Sequence, residues 1–136
     1  MTTGRTLAQM CGTNELRAVG PDTTVAEAAR MMRDHRVGAV LVNDEGRLSG
    51  ILSERDVTYR AVAAGLDPNT TAVSAVMTRN VITASPETRA VNGLQQMAEN
   101  QIRHLPVIDA GSVIGIVSLR DFLAEELAQV QDEISF

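Results

Sequence analysis

The sequence repeats itself at a fixed offset of 65 residues. Residues 50–56 read GILSERD, and residues 115–121 return the motif as GIVSLRD. The two copies align without a gap from Thr13 to Asp56 and from Thr78 to Asp121. Self-similarity at a fixed offset indicates one supersecondary unit used twice. Because a solenoid needs about three or more repeats, we expect a closed pair related by a pseudo-twofold axis.

Apolar periodicity and turn residues predict the order β-α-β-β-α in each copy, and therefore an α+β fold of two repeats packed with pseudo-twofold symmetry. Short helices are expected at 6–12 and 71–77. The elements of the first copy are expected at 16–19, 24–35, 38–42, 48–52 and 54–64, and those of the second at 81–84, 88–100, 105–108, 113–117 and 119–131. We place the first domain at 1–66, a linker with a short helix at 67–78, the second domain at 79–131 and a tail at 132–136.

Each repeated motif is interpreted as a buried strand that ends where a helix begins. We call residues 53–56 the first junction and residues 118–121 the second junction. The first N–H groups of a helix lack internal partners and carry partial positive charge. A serine and an aspartate placed there can form a capping box, or they can hold a polar ligand. Capping alone does not require the glycine, the apolar pair and the arginine to return, so both interpretations stay open for Asp56 and Asp121.

Composition excludes several classes of partner. The formal net charge is −5 and no run of basic residues stands out, whereas a nucleic-acid backbone binder needs a basic stripe. Tyr59, Phe122 and Phe136 are the only aromatic residues, too few for a base-stacking surface. No stretch approaches the roughly 18 apolar residues of a membrane span, and the start does not resemble a signal peptide. We expect a cytoplasmic protein without nucleic-acid or membrane partners.

The sequence also lacks the usual signatures of catalysis. It has two histidines and one cysteine, Cys11, without metal-ligand spacing. It has no Ser/His/Asp order with an oxyanion element and no phosphate-binding glycine loop. We therefore expect neither an enzyme nor a metal site.

Three features together resemble a known family. They are the two β-α-β-β-α repeats, the glycine-apolar-apolar-Ser-x-x-Asp junctions and the RHLPV strand at 103–107 followed by Asp109. This combination resembles tandem cystathionine-β-synthase (CBS) domains over roughly residues 6–128. The resemblance implies a non-catalytic regulatory module whose two clefts, between the repeats, bind adenosine nucleotides. AMP is the expected ligand, with ADP, ATP or NAD as the alternatives. The resemblance implies no cofactor. It also implies a homodimer and an unidentified client protein.

The resemblance further implies a set of binding residues in each cleft. In the family the aspartate holds ribose hydroxyls and the serine contacts phosphate or ribose. The first cleft would join Ser53, Arg55, Asp56, Thr78, Thr83, Arg103, His104 and Pro106; the second would join Ser118, Arg120, Asp121, Thr13, Ala18, Gly38 and Ala39. Arg55 and Arg120 could equally form surface ion pairs. Because Gly38 and Ala39 stand where the other repeat has Arg103 and His104, we expect the first cleft to prefer the more highly charged ligand.

Two further expectations concern interactions. The alternative to a nucleotide sensor is a structural interaction scaffold whose clefts are vestigial. If the protein is a dimer, the expected surface is the apolar face of the helices at 57–64 and 122–128.

Overall fold

A computed structural model describes residues 4–11 and 16–130 of the chain. They divide into two compact units. Among the described residues, the first unit is Leu16–Val81, and the second joins residues 82–130 to the N-terminal residues 4–11. Each unit combines helices with a small sheet, so the predicted α+β class is confirmed.

The described elements follow the predicted order in the first repeat, and the second repeat follows it without the predicted first strand. They are α1 (Leu7–Cys11), β1 (Ala18–Val19), α2 (Val25–His35), β2 (Ala39–Asp44), β3 (Arg47–Ser53), α3 (Glu54–Asp56), a π-helix (Val57–Val62), a 3₁₀ helix (Val73–Ala75), α4 (Ala90–Asn100), β4 (His104–Asp109), β5 (Ser112–Ser118), a second 3₁₀ helix (Leu119–Asp121) and α5 (Ala124–Gln129). None of the described helices is both long and apolar enough to cross a membrane.

The two sheets differ by one strand. In the first unit β1 runs parallel to β2, and β2 pairs with β3 in antiparallel fashion. The second unit has only the antiparallel pair β4 and β5, with a single bridge from Ala84 to Val107 where an extended segment was predicted. The Leu41 N–H donates to Arg17 O at 2.8 Å, but the equivalent residue is Pro106, which has no N–H to donate. This missing bond explains why the third strand does not form in the second unit.

The hairpins repeat in detail. Both have two turn residues with positive φ, at 50° and 81° for Glu45 and Gly46 and at 50° and 84° for Ala110 and Gly111. Positive φ at both central residues is the geometry of a tight two-residue hairpin. Because the turn needs only two residues, β2 runs two residues beyond the predicted 42, to Asp44, and β4 runs one residue beyond the predicted 108, to Asp109.

The helices that follow the junctions depart from the prediction. After the first junction the chain stays helical to Val62, but the N–H of Ala63 bonds to Thr58 O, five residues back, at 2.9 Å. This bonding defines a π-helix. The prediction of one continuous helix over 119–131 is wrong. Phe122 is extended and 6% exposed in the core, and α5 starts afresh where the Leu123 N–H donates to Glu126 Oε1 at 2.7 Å.

Each unit includes the short helix that precedes the other repeat. Leu7 of α1 is fully buried in the core of the second unit, and its N–H donates to Thr88 O at 2.8 Å. Val73 is fully buried in the core of the first unit, and its N–H donates to Thr23 O at 2.8 Å. The unit boundaries therefore do not coincide with the predicted boundary after residue 66: the first unit extends to Val81 and residues 4–11 pack with the second. The predicted tail 132–136 and Gln131 lie outside the described residues.

A glycine in each sheet makes room for the short helical segment. A Cβ on Gly115 would lie 2.6 Å from Cys11 Sγ. A Cβ on Gly50, the equivalent glycine, would lie 2.5 Å from Met77 Sδ and 2.9 Å from Thr78 O. Real Cβ atoms do not approach neighbours this closely, so both positions need glycine for backbone packing.

Candidate functional site

The first junction forms a capping box. The chain reaches Ser53 in an extended conformation, with φ −105° and ψ 165°. The Ser53 hydroxyl accepts a hydrogen bond from the Asp56 N–H at 3.1 Å, and Asp56 Oδ2 accepts one from the Ser53 N–H at 3.0 Å. The capping interpretation of this motif is therefore confirmed at the first junction, and ligand binding would be an additional role.

Asp56 has further partners beyond the cap. Asp56 is only 6% exposed. Such burial is unusual for an aspartate, and it requires polar partners that compensate for the loss of water around the carboxylate. The Thr78 hydroxyl donates to both carboxylate oxygens, at 3.2 Å to Oδ1 and 3.3 Å to Oδ2. Arg60 Nε lies 3.8 Å from Oδ1. The structure thus brings together the predicted site residues Ser53, Asp56 and Thr78.

Arg60 was not predicted as a site residue. Its Nη1 donates to Met77 O at 3.0 Å and to Val76 O at 3.4 Å, so one guanidinium connects the Asp56 carboxylate with the segment before Thr78. The available sequence signal was its spacing of four residues after Asp56, a favourable separation for an ion pair on a helix.

The second junction has the same backbone geometry and a more open aspartate. Ser118 has φ −110° and ψ 161°, and its N–H donates to Asp121 Oδ2 at 2.7 Å. The Ser118 hydroxyl lies 3.2 Å from the same oxygen. Asp121 is exposed, in contrast to Asp56. The residue four positions on is Glu125, where the first repeat has Arg60.

The neighbouring strand is equivalent at both junctions. The Glu54 N–H donates to Gly38 O at 3.0 Å, and the Leu119 N–H donates to Arg103 O at 3.0 Å. Ala39 pairs with Ser53 in the same way that His104 pairs with Ser118. Within its own unit, therefore, the second junction has Arg103 and His104 beside it.

The grouping of Arg103, His104, Thr83 and Pro106 with the first junction joins residues of different units and stays a prediction. The same holds for Ala18, Gly38 and Ala39 with the second junction. In their own units, Thr83 O accepts a hydrogen bond from Gln96 Nε2 at 3.0 Å, Pro106 is buried and Ala18 is exposed. Arg55 and Arg120 are exposed, and Thr13 lies outside the described residues.

An ion pair between the partly exposed Arg5 and the buried Glu126 lies next to the second junction. Arg5 Nη2 donates to Glu126 Oε1 at 2.7 Å and Arg5 Nε donates to Oε2 at 3.1 Å. Arg5 Nη2 also donates to Asp121 O at 3.1 Å. The hydrogen bond from Arg5, followed by that from the Leu123 N–H, holds the pKa of Glu126 below its usual value against the opposing effect of burial. The N-terminal segment therefore supplies a cation that contacts the backbone of this junction.

The chemistry available at these sites suits recognition of a polar ligand. A buried carboxylate is a strong acceptor for hydroxyl groups, because hydrogen bonds to an ionised acceptor are the stronger kind. Among residues 4–11 and 16–130, no group of three or more acidic, histidine or cysteine side chains could hold a metal ion.

Comparisons with known proteins all point to the same protein family. The model of the CBS domain matches residues 12–62 and 73–128. The CBS domain-containing protein YhcV of Bacillus subtilis is 37% identical over 116 residues, covering 85% of this chain and 82% of the relative. The CBS domain-containing protein CBSCBSPB2 of Arabidopsis thaliana is 39% identical over 114 residues, but the match spans only 21% of that longer protein.

A solved structure extends the match to the fold. The crystal structure of CBS domain NE2398 superposes with a TM-score of 0.83 at 31% identity, covering 98% of this chain and all of the other. Two matched domains and similarity over most of the chain agree with the repeat, the junctions and the strand order described above. The chain therefore belongs to the CBS-domain family and carries a tandem pair of CBS domains.

Proposed function

We propose that this chain is a non-catalytic regulatory module that binds adenosine nucleotides at its two strand-to-helix junctions and so senses the energy or redox state of the cell. The observation that carries the proposal is the buried carboxylate of Asp56, 6% exposed at the end of a strand, with its counterpart Asp121 in the second repeat. Membership of the CBS-domain family supports it.

The proposed contacts follow from the chemistry of each group. The carboxylates of Asp56 and Asp121 accept hydrogen bonds from the two ribose hydroxyls. Ser53 and Ser118 contact ribose or phosphate. Arg103 suits a phosphate because its guanidinium can bind two phosphate oxygens at once. Binding regulates a client protein only if the ligand has different affinities for two states of the module.

A thermal-shift panel tests the proposal with AMP, ADP, ATP, NAD and a guanosine nucleotide as the control. A ligand at 100 times its dissociation constant adds about 2.7 kcal/mol to folding stability, which shifts the midpoint by several degrees in a chain of this size. A shift with an adenosine compound and none with the guanosine control supports nucleotide sensing. No shift with any compound rejects it.

A structural interaction scaffold is the second candidate. The observation in its favour is that Asp56 is already engaged by Ser53, Thr78 and Arg60, so its burial has a purely structural explanation. Binding of a client protein that is unaffected by nucleotide and by Asp56→Asn would favour the scaffold.

We also propose that the chain forms a homodimer through the π-helix. Tyr59 and Val62 are 67% and 64% exposed, and Leu66 is 41% exposed, so an apolar surface remains uncovered there. Phe122, part of the expected surface, lies in the core and cannot contribute; Leu123 beside it is 45% exposed. Tyr59→Ser with Val62→Ser should convert a dimer into a monomer in sedimentation equilibrium. A wild-type chain that is monomeric at micromolar concentration would reject the dimer.

A further inference from the structure

The two oxygens of Asp56 are already hydrogen-bonded in the described unit. Thr78 donates its hydroxyl to both, and the Ser53 N–H donates to Oδ2. A carboxylate offers about four acceptor positions, and the Thr78 hydroxyl is shared between both oxygens. A ligand hydroxyl that approaches between the two oxygens would therefore meet the Thr78 hydroxyl there.

Thr78 is also tied to the sheet through its backbone. Its N–H donates to Ile51 O at 2.9 Å, and its carbonyl accepts from the Ile51 N–H at 3.0 Å. The glycine at position 50 allows this approach. Moving the hydroxyl away from Asp56 must therefore rotate the Thr78 side chain or loosen this two-bond bridge.

Arg60 holds the same assembly from the other side. Its guanidinium joins Asp56 Oδ1, Val76 O and Met77 O, with the two carbonyl bonds at 3.4 and 3.0 Å. It projects from a π-helix, a rare element that is frequent at functional sites. The second repeat has Glu125 at this position, so the arrangement is specific to the first junction.

We propose that Thr78 competes with the ligand hydroxyl for Asp56, and that Arg60 is the positioning residue that holds the carboxylate and residues 76–77 while the two exchange. This inference rests on the proposed function, since the ligand is the adenosine nucleotide. Occupancy of the first junction then displaces the Thr78 hydroxyl and loosens the bridge from Thr78 to Ile51, at the point where the chain leaves the first repeat. Without ligand, the Thr78 hydroxyl therefore occupies the Asp56 carboxylate. Ligand binding is coupled to the position of Thr78.

Hydrogen exchange on the full chain without ligand tests the proposed positioning role of Arg60. Arg60→Met should speed amide exchange at Ile51 and Thr78 about fivefold, whereas Glu125→Gln, the equivalent position in the second repeat, should leave both unchanged. Arg60→Lys can still pair with Asp56 but lacks the fork that reaches two carbonyls as well, so it should restore little of the protection. Unchanged exchange in Arg60→Met overturns this half whether or not any nucleotide binds.

Titration with AMP tests the proposed competition between Thr78 and the ligand hydroxyl. Thr78→Val removes the competing hydroxyl at nearly constant volume and should tighten AMP binding at the first junction about threefold to tenfold, the value of one hydrogen bond. Arg60→Met should weaken it by a similar factor. AMP should also speed exchange at Thr78 in the wild type. Weaker binding by Thr78→Val, or slower exchange at Thr78 with AMP, would make Thr78 a ligand contact and overturn the competition.

The outcomes separate this inference from the proposed function. If AMP binds and Thr78→Val weakens binding, nucleotide sensing stands and the competition fails. If AMP binds neither the wild type nor Thr78→Val, nucleotide sensing by AMP and the competition both fail, while the exchange data on Arg60→Met still decide its positioning role.

Discussion

At the scale of single residues, Asp56 has the capping role that the sequence left open, and its ligand-binding role is a proposal. Its carboxylate completes the Ser53 cap and is buried among polar partners. Asp121 keeps the backbone cap but is exposed. The same motif therefore presents two different carboxylates.

Removal of the Ser53 hydroxyl measures the value of the cap. Ser53→Ala deletes the acceptor for the Asp56 N–H and should lower the free energy of unfolding by about 1 kcal/mol. Urea denaturation gives the value. Ser112→Ala, an exposed serine at the start of β5, is the control and should change it by less than about 0.5 kcal/mol. Equal effects of the two variants would argue against a stabilising cap.

The pH dependence of stability measures the Arg5–Glu126 pair. Because the folded-state pKa of Glu126 is lowered, the pair stabilises the fold above the unfolded pKa of about 4.3 and loses its effect as pH falls through the folded pKa. At pH 7, Glu126→Gln should cost about 1.5–3 kcal/mol, the range for hydrogen bonds to charged groups. Urea denaturation at a series of pH values should show this difference shrinking below about pH 4. A difference independent of pH would contradict the assignment.

At the scale of elements, the short helical segments determine what each unit contains. α1 packs against β5 through Cys11 and Gly115, and the segment after Val73–Ala75 packs against β3 through Met77 and Gly50. The two glycines are equivalent in the repeat, so the same packing device occurs in both units.

A methyl group on Gly115 should displace α1. Gly115→Ala places a Cβ 2.6 Å from Cys11 Sγ, and overpacking of this kind costs about 1–3 kcal/mol. Cys11 is the single cysteine and is 3% exposed, so its reaction rate with a thiol reagent should rise in the variant. Gly20→Ala, where no atom lies within 4 Å of the new Cβ, is the control. Equal labelling rates in the two variants would show that α1 does not depend on Gly115.

Local patterns in the sequence were sufficient for the order of elements and for the cap at the first junction. Apolar spacing placed α2 and α4, and turn residues placed the hairpins. The helix break at Phe122 places this side chain in a core that includes Leu7, and no local pattern encodes such long-range packing. The π-helix keeps the apolar spacing expected of an ordinary helix. The contacts of Arg60 and the packing of Leu7 in the second unit likewise involve residues distant in sequence. In contrast, the missing third strand of the second unit could have been foreseen, because Pro106 has no N–H.

At the scale of the whole molecule, cutting the chain at the boundary between the two repeats would separate each unit from part of its core. Val73, Val76 and Met77 belong to the core of the first unit, although they follow the first repeat in sequence. The first unit should therefore need the chain through residue 81 in order to fold.

Two fragments test this dependence. The fragment 16–81 contains the whole first unit and should show a cooperative thermal transition by circular dichroism. The fragment 1–66 lacks three buried core side chains and carries α1 without its partners, so it should show no such transition. A cooperative transition of 1–66 at the midpoint of 16–81 would show that the segment after residue 66 is dispensable.

The junction aspartates are proposed to bind an adenosine nucleotide, and the proposed function depends on this binding. The direct measurement is isothermal titration of the full chain with AMP, compared with the double variant Asp56→Asn, Asp121→Asn. The amide oxygen can still accept the capping bonds, so the variant should stay folded while the charge of the acceptor is lost. We predict binding to the wild type and at least about tenfold weaker binding to the variant, because hydrogen bonds to charged acceptors are worth about 1.5–3 kcal/mol. Equal affinities for the wild type and a folded double variant, or no binding to the wild type, would contradict the account.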